Sequence, residues 1–335
     1  MSDALNKSEA ASAPVIQVTG LRKLFRAGKT GLFWGKEQVV RAVDGVSFSL
    51  APAEVLALVG ESGCGKSTLA LTLMGLEKPT EGEILFEGKT IKDLDAVGLK
   101  ALRRRIQMVF QDPYESLNPT QTVDEIIREP LHVHGIGGGT AEQSARVNQA
   151  LEEVGLVPAS NYLKRYPHEL SGGQRQRVVI AGALVLEPHV LLADEPVSML
   201  DVSIRAEILH LLLDLERKRG ISVIFITHDL GTVAYFADRV AVMYLGRIVE
   251  IGSTLEVLQQ PQHPYTRALL SVVPVPNPRL RRQRMILQGE TPNPINPPSG
   301  CRFHPRCPVA EPRCKEQDPP FVDVGEGHEA ACLLL

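Results

Sequence analysis

Short apolar runs bounded by Gly, Pro or charged residues recur along the chain at Val55–Val59, Ile106–Phe110, Val190–Ala193, Val223–Ile226 and Val240–Tyr244. Each has the length of a strand buried on both faces. Between them, Lys66–Met74, Ser171–Leu186, Val202–Arg219 and Leu230–Ala237 carry apolar residues at helical spacing. Strand and helix alternate, which predicts an α/β fold with a largely parallel sheet. The stretch from Asp112 to Tyr166 breaks the rhythm. It holds two helical patterns, Thr122–His134 and Ala141–Val154, separated by Gly135–Gly139, and reads as a helical insertion into the α/β core. Residues 1–13 have no apolar periodicity and predict a mobile tail. After about Gly252 prolines crowd from Pro261 to Pro320, which marks a separate extension over 256–335, and the basic run Arg279–Arg284 reads as a solvated linker.

With 335 residues, 44% of them hydrophobic, the chain can bury a large core without cross-links. A net charge of −3 disfavours a polycationic grip on nucleic acid. No apolar stretch approaches the roughly 20 residues of a membrane span, and the first residues lack the apolar core of a signal peptide, so a cytoplasmic location is expected.

Gly60-Glu61-Ser62-Gly63-Cys64-Gly65-Lys66-Ser67-Thr68 joins the predicted strand at 55–59 to the helix beginning at Lys66. Glycines at this spacing turn successive backbone N–H groups toward phosphate oxygens, and the helix N-terminus favours negative charge. Lys66 reaches the β and γ phosphates, and the Ser67 hydroxyl coordinates Mg²⁺. A Gly-rich turn with an incidental lysine is the bland alternative, and the strand-to-helix context argues against it. The pattern predicts an ATP site, with Cys64 as a small loop residue. A second strand, Val190–Ala193, delivers Asp194 and Glu195 at its end. Asp194 suits Mg²⁺ held through water, and Glu195 suits polarisation of an attacking water.

Ser171-Gly172-Gly173-Gln174 opens another helix and makes a second potential anion site. At this point the chain resembles the ATP-binding cassette ATPases of ABC transporters over residues 14–255. The resemblance implies a P-loop NTPase core with an antiparallel β-subdomain and a helical subdomain at about 112–166. It also implies head-to-tail dimers in which Ser171–Gln174 of one subunit closes on the γ-phosphate held by the other. Gln111 then matches the loop that senses Mg²⁺ and the transporter, Asp201 in Ser198-Met199-Leu200-Asp201 the loop that bridges the dimer, and His228 the γ-phosphate contact. Phe25 falls where the family stacks an aromatic on adenine, with Phe33 and Trp34 as rivals. Met199 stands where Ala is frequent, and Gly182 where Arg is frequent.

Cys301, Cys307, Cys314 and Cys332 supply four soft ligands in the Pro-rich extension, and their spacing is compatible with zinc or an iron–sulfur cluster. Together with His263-Pro264-Tyr265, Asp112–Pro119 and Tyr166–Glu169, this extension resembles that of ATPases of dipeptide and oligopeptide importers, most closely the dipeptide type. The resemblance implies a [4Fe–4S] cluster on the four cysteines, with Zn²⁺ as the alternative. It further implies two membrane permease subunits, an extracytoplasmic binding protein and a second ATPase subunit, identical or paralogous. The chain would then lie peripherally on the cytoplasmic face of the cell membrane. Two other functions compete: a soluble cassette ATPase acting on DNA or ribosomes, and a nucleotide- or redox-sensing module. Nickel and glycosides compete as cargo.

Overall fold

The computed structural model describes residues 13–29, 37–273, 285, 287 and 289–335. Residues 1–12 of the expected tail, Phe33, Trp34 and Arg279–Arg284 lie outside the described residues. Two long antiparallel neighbours, β1 (Ile16–Lys29) and β2 (Glu37–Leu50), begin the fold. β3 (Val55–Val59) enters a second sheet and hands the chain to α1 (Lys66–Leu73). β4 (Glu81–Phe86) returns to β1, with the two-residue β5 (Lys89–Thr90) beside it, so the first sheet runs β2-β1-β4-β5.

After α2 (Ala96–Arg105), β6 (Ile106–Val109) joins the second sheet. The helical insertion follows, with α3 (Pro113–Ser116), α4 (Val123–His134) and α5 (Thr140–Glu153), and then α6 (Gly172–Leu184) leads back to the core. Thr122 and Glu125 start α4 with a reciprocal capping box, and Gly135 ends it in the left-handed conformation. β7 (Val190–Asp194), α7 (Val202–Arg219), β8 (Ser222–Thr227), α8 (Leu230–Phe236) and β9 (Arg239–Tyr244) complete a parallel set. β10 (Arg247–Ser253) turns back on β9, and α9 (Thr254–Gln259), α10 (Pro264–Ser271) and α11 (Arg313–Glu316) follow. The last hairpin, β11 (Val322–Gly325) and β12 (His328–Ala330), docks on β10, giving the order β11-β12-β10-β9-β3-β8-β7-β6.

Side chains on the central strands divide by parity, as the two-residue period of a strand demands. On β8, Val223 and Phe225 enter the core shared with α4 to α7, while Ile224 and Ile226 enter the core shared with the antiparallel sheet. A third apolar cluster joins Ala57, Val59 and Val242 to Tyr244, Tyr265 and Phe303. The segment after Gly252 packs onto the core: it adds a hairpin to the main sheet through Glu250 and Ile251, paired with Ala330 and Glu329, and lends Tyr265 and Phe303 to a shared apolar cluster.

Polar contacts reinforce that attachment. Asp44 on β2 is buried and faces Arg22 at 3.1 Å, Arg41 at 3.6 Å and Arg247 at 4.0 Å, and it accepts a hydrogen bond from the equally buried Arg302 of the C-terminal segment. Burial alone would raise the Asp44 carboxyl, but the charges of Arg302, Arg247 and Arg41 and the Arg302 hydrogen bond outweigh it and hold it below its ordinary 3.8. Asp44→Ala removes the carboxylate that Arg302 hydrogen-bonds and is expected to cost about 3 kcal/mol at pH 7. Because the folded-state value is depressed, this contribution is present above 3.8 and lost as pH falls through the lower folded value. Urea midpoints of wild type and Asp44→Asn should therefore converge on acidification below 3.8.

Candidate nucleotide site

The loop from Gly60 to Thr68 leaves β3 and is wedged between two neighbouring strands. A Cβ on Gly60 would stand 2.2 Å from the Met243 carbonyl oxygen of β9, and one on Gly65 would stand 2.0 Å from the Ala42 carbonyl oxygen of β2. Gly65 also has φ +108°, a region closed to side-chain-bearing residues, and caps α1 with no side chain of its own. The first N–H groups of α1 are left for an anion. Lys66 is buried, and its Nζ donates to the carbonyls of Gly60 at 2.7 Å and Glu61 at 3.1 Å, so the loop itself aims the ammonium. Cys64 is buried beneath the loop, and burial pushes its thiol up.

Asp194 ends β7, is largely buried and hydrogen-bonds to the Ser67 side chain. Burial raises its carboxyl most, Ser67 opposes the shift, Glu195 adds to it and Lys66 opposes it, and the net direction is upward. A buried acid against a hydroxyl, its carboxyl raised chiefly by burial, fits a site for a hard divalent cation. Ser67 and Asp194, with Gln111 at the opposite wall, are the side chains that would hold Mg²⁺ and so offset phosphate charge.

Glu195 follows with φ +45°, a strained conformation for a side-chain-bearing residue, fixed by its N–H bond to the Ile226 carbonyl at 2.9 Å. Its carboxylate accepts from Gln111 Nε2 at 3.2 Å and lies 3.1 Å from His228 Nδ1. The ends of β6, β7 and β8 thus bring three predicted residues into one network. Gln111, Glu195 and His228 share a cavity of about 810 Å³ with Phe25, Gly60–Gly63 and Gly65–Thr68.

Ser171–Gln174 and Asp201 do not line that cavity. Ser171 and Gln174 form the capping box of α6: the Ser171 hydroxyl accepts from the Gln174 N–H at 3.3 Å, and the Gln174 side-chain oxygen accepts from the Ser171 N–H at 3.1 Å. Gly173 lets α7 approach, since a Cβ there would meet Ile204 Cγ2 at 2.6 Å. Asp201 precedes α7 and makes no side-chain capping bond. Beside these elements Met199 and Val202 are exposed, at 59% and 81%, an apolar surface next to a helix N-terminus.

Several contributors were not foreseen from sequence. Leu269 and Pro294, both from the C-terminal segment, line the cavity, and Arg306 and Thr291 hydrogen-bond to Glu61 in the loop. Burial favours protonation of Glu61, but those hydrogen bonds and the charges of Arg306 and Lys66 hold its carboxyl below the usual range. No local pattern links positions 245 residues apart.

The four C-terminal cysteines share one neighbourhood. Burial, chiefly, pushes the Cys301 thiol up to about 11, and the other three add to the rise. Among the described residues, however, no group of three or more His, Cys, Asp or Glu side chains could hold a metal ion. The expected arrangement of Cys301, Cys307, Cys314 and Cys332 around an iron–sulfur or zinc centre is therefore not met by the side chains as they stand. Protonated thiols behave as small apolar groups, and Cys301 and Cys307 pack against the cluster containing Tyr244, Tyr265 and Phe303 instead of converging on one point.

A phosphate loop at one strand end, acids at another and a Gln and His at two more define a P-loop nucleotide-binding ATPase. The family model "ABC transporter" matches residues 43–198, and "Oligopeptide/dipeptide transporter, C-terminal region" matches residues 249–314. The chain is 50% identical to the oligopeptide transport ATP-binding protein AppF of Bacillus subtilis, over 96% of this chain and 97% of that protein. It is also 50% identical to the oligopeptide transport ATP-binding protein OppF of Haemophilus influenzae, over 91% and 92%. A dimeric post-hydrolysis structure of the ATP-binding cassette MJ0796 with ADP and Pi superposes with TM-score 0.63 at 30% identity, covering 71% of this chain and 98% of that one. The chain belongs to the ABC transporter ATPases, in the branch with the oligopeptide/dipeptide C-terminal region.

Gly65→Ala should abolish the cradle without touching a phosphate-contacting side chain. Backbone strain and the clash with Ala42 are expected to weaken nucleotide affinity by about tenfold or more, measured by titration with a fluorescent ATP analogue alongside circular dichroism.

Proposed function

We propose that this chain is the ATP-hydrolysing subunit that powers import of dipeptides and oligopeptides through an ABC transporter, and that its active site is completed by a second ATPase subunit. The observation that carries the proposal is the division of the chemistry. Glu195, Gln111 and His228 face the phosphate loop across one cavity, while Ser171–Gln174 and Asp201 lie outside it beside exposed Met199 and Val202. A partner placed head to tail would cover the first half with its own copy of the second. Phe25 stacks the adenine, Lys66 and the loop N–H groups bind the phosphates, Glu195 polarises the attacking water, and His228 holds Glu195 and the γ-phosphate in register.

Coupling to the membrane is assigned to the groove beside Gln111. About 450 Å³ of space is lined by Phe110, Leu117, Val133 and Val179, with Phe110 and Val133 exposed. Gly182 opens onto the same groove, and a Cβ there would meet nothing within 4 Å. A membrane permease presenting an apolar segment would find its seat here, next to the residue that contacts Glu195. Among the described residues no helix is long and apolar enough to cross a membrane, which suits peripheral attachment at the cytoplasmic face to two permease subunits. The names of the relatives favour peptides as cargo over nickel or glycosides, with an extracytoplasmic binding protein selecting them. The second ATPase subunit is identical or paralogous, as the sequence resemblance implies.

Glu195→Gln keeps the shape and both neighbours but removes the charge. It is expected to lower hydrolysis by about 10²–10⁴-fold while ATP accumulates a dimer on size exclusion. Turnover at the wild-type rate would remove Glu195 from the role of base.

For the four cysteines the reading is a [4Fe–4S] cluster, with zinc as the alternative, reached when the thiols ionise and turn off the apolar cluster. Their shared neighbourhood supports it. Anaerobically purified protein is then expected to contain iron and acid-labile sulfide, or zinc in their place. Protein containing none of these would leave the thiols as packing groups.

A further inference from the structure

Glu61 is the one acidic residue of the phosphate loop, and its side chain is turned toward the C-terminal segment. Arg306 grips the carboxylate with both arms, Nη1 to Oε2 at 2.8 Å and Nη2 to Oε1 at 3.0 Å, and the Thr291 hydroxyl donates to Oε2 at 2.6 Å. The Glu61 N–H donates to the Tyr265 hydroxyl at 2.9 Å, and its carbonyl accepts from Lys66 Nζ at 3.1 Å. Every polar group of Glu61 is thereby engaged, all but one by residues beyond Gly252. Arg306 is itself well buried, at 9% side-chain exposure, with its guanidinium 5.9 Å from the Tyr244 ring. Tyr244 packs against Tyr265 and Phe303, and Phe303 and Arg306 both lie between Cys301 and Cys307. Pro294, from the same segment, lines the nucleotide cavity and accepts the Arg41 N–H at 3.2 Å.

A carboxylate at the rim of a phosphate cradle repels the incoming polyanion unless a cation neutralises it. A bidentate arginine does so and also fixes the orientation of the residue that bears the acid. We propose that Arg306, assisted by Thr291, is a positioning residue for the phosphate loop, through which nucleotide binding and the order of the cysteine-bearing segment depend on each other. The inference rests on the loop being the ATP site. Because coupling of this kind is reciprocal, a nucleotide that prefers the clamped loop must tighten the clamp.

The test uses the full chain with a fluorescent ATP analogue and Mg²⁺, and hydrogen–deuterium exchange over residues 301–316 with and without a non-hydrolysable ATP analogue. Arg306→Ala should weaken nucleotide binding by about tenfold, and Arg306→Lys by less, as befits loss of a partly shielded bidentate pair. In the Glu61→Ala background the same change should have little further effect, since no charge remains to be cancelled. Nucleotide should slow exchange over 301–316 in the wild type and not in Arg306→Ala. If Arg306→Ala does not fold, Arg306→Lys and Glu61→Ala provide the same comparison. Wild-type protein that binds nucleotide while Arg306→Ala binds within about twofold as tightly, or an additive double variant, would overturn the coupling alone. Wild-type protein that fails to bind would overturn the site and the coupling together.

Discussion

β3 has five residues and none of them is exposed, because helices and a second sheet cover both faces of the sheet it centres. A strand in that position can carry no polar side chain along its length without leaving it unpaired. Chemistry is pushed to the strand ends, where the chain emerges beside its parallel neighbours. The pairing of β3 with β8, β8 with β7 and β7 with β6 then decides which loops meet. Lys66, Gln111, Glu195 and His228 come from four separate stretches, yet all four line one cavity. Their proximity is a consequence of the parallel sheet, and the strain at Glu195 is tolerated because Ile226 and the two flanking side chains fix it.

The same constraint explains what could be read from sequence. A buried strand is a continuous apolar run, so the strand at 55–59 was legible at its observed limits, and those read at 106–110, 190–193, 223–226 and 240–244 within one residue. Local chemistry was equally plain: the phosphate loop and the paired acids each lie within a few positions. The C-terminal hairpin was not legible, since Val322–Gly325 has no buried residue and β12 has three residues in all. Neither gives an apolar pattern long enough to mark a strand. The cysteines were conspicuous but ambiguous, because their spacing carries no information about the direction in which each thiol points, and the apolar cluster around Phe303 competes for them.

Arg302 and Arg306 were hidden for a different reason. Arginines in a Pro-rich segment ordinarily read as solvated, and their partners, Asp44 and Glu61, are 258 and 245 residues away. In the structure both arginines lie in the short span between Cys301 and Cys307, and they grip Asp44 on β2 and Glu61 in the phosphate loop. The two pairs differ in environment. Asp44 with Arg302 is buried, where desolvation offsets much of the Coulomb attraction. Glu61 with Arg306 leaves the acid more than one quarter exposed, where screening weakens the attraction but rearrangement costs less.

The C-terminal segment is joined to β2 by a buried ion pair and to the phosphate loop by a more exposed one. Phe303, between the two arginines, packs edge-on to Tyr244 and against Tyr265, whose hydroxyl accepts the Glu61 N–H. The turn that carries Cys301 and Cys307 is therefore connected to Glu61 by two routes, one through the Arg306 guanidinium and one through the aromatic stack. Closely packed interiors transmit shifts because they do not deform smoothly. The loop from Gly60 to Thr68 thus lies close against the Met243 and Ala42 carbonyls and is held at Glu61 by the last part of the chain. That hold makes the C-terminal segment part of the nucleotide site and not an appendage to it.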